Sequence, residues 1–181
     1  MKIDMKKYQN ICENINIYGC LDDVQIRERI GRVLYDIPES DFEILWNNRQ
    51  IAFFVAKQGQ SGSMERLCPD CFSFDAPLFI VTAISEKNVS SFMEIIAHEL
   101  AHVFYAVDYH KLESLDPERQ SFNSAVIELM ADLKAESWGY LEGHRDSYLK
   151  GSLWDFFEDL GVDKSHALQM AKCKQLDQVS S

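Results

Sequence analysis

Two histidines one helical turn apart, with a glutamate beside the first, are the residues of this chain best placed for chemistry. His98, Glu99 and His102 spell H-E-x-x-H within the segment 94–104 (EIIAHELAHVF). Positions four apart share one face of a helix, so both imidazoles can reach the same metal ion while Glu99 can touch a water bound to it. At about 100° per residue, Ile96, Leu100, Val103 and Val107 gather opposite the histidines, and the small Ala97 and Ala101 flank them. This wheel predicts one packed side and one open side. Two surface histidines on an amphipathic helix would need neither the alanines nor the glutamate.

A catalytic zinc usually takes three protein ligands and leaves a position for water, so a third must come from elsewhere. The best candidate is Glu128 in the segment 128–136 (ELMADLKAE), with Asp132 one turn further on. Phe122, Val126, Leu129, Met130 and Leu133 fill much of the rest of that wheel, which leaves the two acids as a polar stripe on an otherwise buried helix. Buried acids need partners, and a metal with its histidines would supply them. Asp132 would then hold one ligand imidazole through its second ring nitrogen. With zinc lowering the pKa of its water towards about 7, Glu99 can act as general base and pass the proton to a leaving amine. The reaction class is peptide-bond hydrolysis, with a peptide or protein as substrate. Tyr140, His144 and Tyr148 are candidate donors to the developing oxyanion, and spacing does not choose among them. The competing reading is a non-hydrolytic metal-stabilised domain that binds a protein partner. Structural zinc sites favour cysteine and four ligands, so two His, one Glu and an intact base favour catalysis.

These residues resemble the gluzincin class of zinc metallopeptidases, in which a second helix supplies a glutamate as third ligand, often with an acid four residues later. His98, Glu99, His102, Glu128 and Asp132 match that arrangement, and the short gap with the Glu-x-x-Ala-Asp form is most similar to compact ImmA/IrrE-type peptidases. The resemblance covers about 78–141 and implies a zincin-like α+β fold: a small, mostly antiparallel sheet, an active-site helix and a mainly helical C-terminal part. It implies no repressor-cleaving role, because no segment resembles a DNA-binding or sensing module. Asp108 lies where the metzincin pattern places its third ligand, but Tyr105 occupies that pattern's glycine position. A helix continuing to about Val107 would carry Asp108 away, and His110 fits neither spacing.

The elements that must position these residues follow from periodicity. Residues 22–34 read as an amphipathic helix stopped before Pro38. The segments 51–56 (IAFFVA) and 78–84 (LFIVTAI) read as strands, 71–75 (CFSFD) as a third, and 57–66 as an exposed loop. The strand at 78–84 is the one expected to offer an edge to an extended peptide. Ser91 with Glu94 forms a capping box that opens the H-E-x-x-H helix, Asp116 and Pro117 mark a turn, and helices follow over 121–141, 146–160 and 164–174.

The 181 residues suit one domain spanning 1–181, and 46% apolar residues suffice for a core. A formal charge of −11 disfavours nucleic acid and anionic membranes as partners. The N-terminal segment lacks the apolar stretch of a signal peptide, and the longest apolar run is far short of a membrane span. Five cysteines form an odd, sparse set that fits a reducing compartment, so a cytoplasmic location is expected. Cys68 and Cys71 make a lone C-x-x-C that, without a second pair, reads first as ordinary thiols, with half of a metal site or a redox-sensitive pair as the alternatives.

Overall fold

A computed structural model of the chain describes residues 4–18, 24–48, 50–56, 62–67, 78–84, 89–106, 117–140 and 153–179. The sheet is built around the apolar run 78–84. It consists of β1 (Ile17–Tyr18), β2 (Gln50–Ala56), β3 (Gly62–Leu67) and β4 (Leu78–Ile84), in the order β1-β2-β4-β3. β4 lies parallel to β2, with Gln50 opposite Leu78 and Ala56 opposite Ile84, and antiparallel to β3, with Gly62 opposite Ala83 and Leu67 opposite Leu78. β1 is parallel to β2.

Two of the three pairings are therefore parallel, which corrects the expectation of a mostly antiparallel sheet. The reason is visible in β4 itself: its apolar run is almost continuous, interrupted only by Thr82, and alternation is the mark of a strand with one wet face. A second correction follows. β4 has neighbours on both sides and offers no edge; among the described residues the edge strand beside it is β3. The stretch expected as an exposed loop supplies that strand. Gly, Ser and Glu in GSMERL carry little β-propensity, so pairing with β4, not local preference, makes it a strand.

Helices account for most of the other described residues. They are α1 (Met5–Asn14), α2 (Val24–Asp36), α3 (Glu39–Asn48), α4 (Val89–Phe104), α5 (Pro117–Ser137), α6 (Leu153–Asp159) and α7 (Lys164–Val179). Phe53, Val55, Phe79 and Val81 alternate onto one face and meet Ile30, Leu34, Leu45, Phe92, Ile96 and Leu100 in the main core. A second core joins Val126, Leu129 and Met130 of α5 to Trp154, Phe157, Ala167 and Ala171, and Tyr105 packs against both. α5 is thus a partition with apolar contacts on two sides.

The α+β character and the helical C-terminal part agree with expectation, but several boundaries moved. α4 starts at Val89, so Ser91 lies inside its first turns and does not cap it. Pro117 opens α5 instead of marking a turn before it, because a proline at the first helical position gives up only a donor that would lack an intrahelical partner anyway. α7 extends beyond 174 to Val179. The expected strand 71–75, the cysteines at 68 and 71 and the residues before 153 in the expected helix 146–160 lie outside the described residues. α1 and α3 were not foreseen; Asp4 caps α1 by accepting from the amides of Lys6 and Lys7 at 3.0 and 3.2 Å. No helix among the described residues is long and apolar enough to cross a membrane.

The contact between α1 and α2 yields a test of packing. Gly31 is buried mid-helix, and a Cβ there would meet Cys12 Sγ at 2.4 Å, with Cys12 Cβ and Ile15 Cδ1 at an ordinary 3.7 Å. Alanine is favoured over glycine in a helix by about 1 kcal/mol. Gly31→Ala is therefore expected to destabilise the wild-type chain but to be neutral or stabilising in a Cys12→Ala background. Denaturant unfolding of the four proteins measures this coupling, and an equal effect in both backgrounds would contradict the close approach.

Candidate metal centre

α4 carries the H-E-x-x-H residues across the sheet and under α5. It is buried on every side: His98, Glu99 and His102 are 1%, 5% and 2% exposed, and Ile96, Ala97, Leu100, Ala101 and Val103 are all fully buried. The open side expected from the helical wheel is therefore closed, because α5 packs over it. The apolar wheel could not reveal this cover, which comes from a helix later in the chain.

α5 brings its acidic stripe to the two imidazoles. Nε2 of His98 lies 3.0 Å from Nε2 of His102 and 3.1 Å from Oε2 of Glu128, and Nε2 of His102 lies 3.5 Å from Oε1 of the same carboxylate. The rings are 4.7 Å apart between centroids at 79°. Ligands bonded at about 2.0–2.1 Å to a tetrahedral ion are separated by roughly 3.3 Å, so these spacings are those of three corners around one ion. His98, His102 and Glu128 could hold a metal ion. Glu128 is the most exposed of the three, its side chain 27% exposed against 1% and 2% for the histidines.

Asp132, nearly fully buried, sits 2.8 Å from Nδ1 of His98. A carboxylate there fixes the proton on Nδ1 and leaves Nε2 with a lone pair aimed at the other donors. Three lone-pair donors facing one another repel unless a positive charge sits among them. Without a metal that charge is a proton. Burial pulls the His98 imidazole down, but the hydrogen bonds of Asp132 and Glu128 and the charges of Glu128 and Glu99 outweigh it, and the ring is pushed up to about 10. Burial likewise raises Glu128, yet the charge of His102 and hydrogen bonds to both rings hold its carboxyl well below the usual carboxylate range. Glu99 goes the other way. Its burial raises it, the two histidines lower it, and the negative charges of Glu128 and Asp132 add to the rise.

The structure thus brings His98, His102, Glu128 and Asp132 together and keeps Glu99 buried beside them. Tyr140 is engaged elsewhere: its hydroxyl donates to Asp36 at 3.1 Å, on a carboxylate that also binds Arg32 at 2.7 Å. His144, Tyr148, Asp108 and His110 lie outside the described residues. The argument that a continuing helix removes Asp108 does not hold, since α4 ends at Phe104 and Tyr105–Ala106 form a turn in which Ala106 adopts φ 52°. Glu128 is preferred on its distances instead. Sequence reasoning missed the cluster of Asp41, Lys134 and Trp138 beyond the site; Lys134 is on the helix of Glu128 and Trp138 directly follows its end, but nothing signalled Asp41.

Removing the Glu128 carboxylate is expected to weaken metal binding severely. Asp132→Ala should weaken it by about 10–100-fold, the usual cost of losing the group that orients a ligand imidazole. Asp108→Ala should leave affinity nearly unchanged. Apparent affinity should fall as pH is lowered, because uptake must displace the His98 proton. Titration with zinc against a competing chelator reads all four, and a loss confined to Asp108→Ala would move the third ligand.

Comparison of the chain with protein-family models, with curated proteins and with solved structures gives no match.

Proposed function

We propose that the chain is a zinc-dependent peptide hydrolase of gluzincin-like design, similar to compact ImmA/IrrE-type peptidases, with a zincin-like fold. The observation that carries this reading is the convergence of His98, His102 and Glu128 around a point that one ion can fill, with Asp132 on His98 and Glu99 buried alongside. Two imidazoles and one carboxylate suit zinc, and three ligands leave room for water where a structural site would be closed by a fourth. Zinc, when bound, lowers the pKa of a water and polarises a carbonyl.

The chain's own residues supply the remainder. Glu99 is the general base: its burial and the neighbouring carboxylates hold it above the ordinary carboxylate range, which makes it a better proton acceptor. It takes the proton of the attacking water and returns it to the leaving nitrogen. Asp132 keeps the His98 ring in one tautomer and orientation throughout. The substrate approaches from the side on which Glu128 is partly exposed. β3, at the edge of the sheet among the described residues and in contact with α4, is the strand to which an extended peptide would add.

Glu99→Gln keeps the shape but cannot accept a proton. It should fold, retain one metal ion per chain and lose hydrolysis of an unfolded protein substrate by about 10²–10⁴-fold. Equal cleavage by wild type and variant would remove Glu99 from this role. A chain that holds metal but cleaves nothing under any condition would favour a non-hydrolytic metal-stabilised domain.

A further inference from the structure

α5 must hold Glu128 at the correct angle to the histidines, and hydrophobic packing does not determine that angle. Ile127, Ala131, Ala135 and Trp138 belong to the main core, while Ala125, Val126, Leu129 and Met130 belong to the second. Apolar contact is non-directional, so packing on two opposite sides restrains the roll of the helix by steric fit without singling out one angle to the precision that a ligand needs. The consequence for a ligand is large. A carboxylate roughly 6 Å from a helix axis moves about 1 Å for a 10° roll, against a tolerance near 0.2 Å for metal bonds.

Directional contacts at the borders of the buried face must therefore fix the roll. One border is the Asp132 to His98 hydrogen bond. The other, about 120° away around the helix from Glu128, is Lys134. Its ammonium lies 2.7 Å from Oδ2 of Asp41 on α3, with the two side chains only 18% and 16% exposed. The same oxygen accepts from Trp138 Nε1 at 2.8 Å. Lys134 also sits 4.0 Å over the ring of Phe104 at the end of α4, and Phe104 meets Trp138 edge-on at 6.1 Å. The carboxylate of Asp41 thus ties α5 to α3, and Lys134 reaches from there to the last residue of the helix that carries both histidines.

We infer that Asp41, Lys134 and Trp138 form a positioning clamp that sets the roll of α5 and, through it, the geometry and affinity of the His98, His102, Glu128 metal centre. None of the three is a ligand. The inference rests on the reading of that centre as a metal site, and buried polar contacts that choose among near-equivalent apolar packings are a known source of register.

The test compares Lys134→Met, which keeps the aliphatic stem on Phe104 and Trp138 but loses the charge, with Lys134→Arg, which keeps both. Zinc affinity is read by chelator competition, and ligand geometry by the visible absorption of the cobalt-loaded protein. Lys134→Met is expected to bind zinc about tenfold more weakly and to shift the cobalt bands, while Lys134→Arg stays within about threefold of wild type with unchanged bands. A purely stabilising role would lower the unfolding midpoint of Lys134→Met without moving the cobalt bands of the folded protein, and that result overturns the inference. If Lys134→Met does not fold, the near-isosteric Asp41→Asn decides by the same readouts: a smaller loss with shifted bands supports the clamp, and wild-type behaviour refutes it. Failure of wild type to bind either metal would overturn the metal centre and the clamp together.

Discussion

Lone pairs that point at one another in a buried place require a positive charge between them, and this requirement organises the molecule. Asp132 holds the far nitrogen of the His98 ring, so the near nitrogen is turned towards His102 and Glu128. His102 and Glu128 face the same point, at distances of 3.0–3.5 Å that suit hydrogen bonds and also the corners around one ion. Each partner is costly to bury alone, and with a cation among them the arrangement becomes favourable. Both shifts overcome the cost of burial: the rise of His98 is led by the hydrogen bond of Asp132, and the fall of Glu128 by the charge of His102.

The fold serves this point by enclosing α4. The sheet supports it from below through Phe79 and Val81, and α5 covers it from the other side. Ala97 and Ala101 keep the flanks of the histidines narrow. The C-terminal helices α6 and α7 press on the far side of α5 through the second core, so the helix that delivers Glu128 is packed between two apolar masses. Packing of that kind gives stability without orientation. The few polar contacts that reach α5 from α3 and α4 supply orientation without adding much area.

How much of this was legible in the sequence depended on whether a signal was local. The pairing of His98 with His102 could be read because the helical period places them together whatever the fold. Glu128 and Asp132 could be read because acids on an apolar helix demand partners, and the structure brings both to the imidazoles. β2 and β4 were legible for the same reason, as apolar runs of strand length. β3 was not, since GSMERL becomes a strand through its neighbour. The parallel pairing could have been read from the almost continuous apolar character of β4, whereas the resemblance implied a mostly antiparallel sheet. α1 carries one fully buried residue, Ile11, and α3 begins just after the proline that stops α2, so neither stood out. Asp41 was invisible because its partners lie about ninety positions away along the chain.

The most direct measurement of the central claim is anomalous diffraction at the zinc absorption edge from crystals of the zinc-loaded protein. The account predicts one strong peak per chain within bonding distance, about 2.0–2.2 Å, of Nε2 of His98, Nε2 of His102 and a carboxylate oxygen of Glu128. Asp132 should remain on Nδ1 of His98 and outside the coordination sphere. A fully occupied zinc bound by other residues, or by the histidines with Asp132 in place of Glu128, would contradict it.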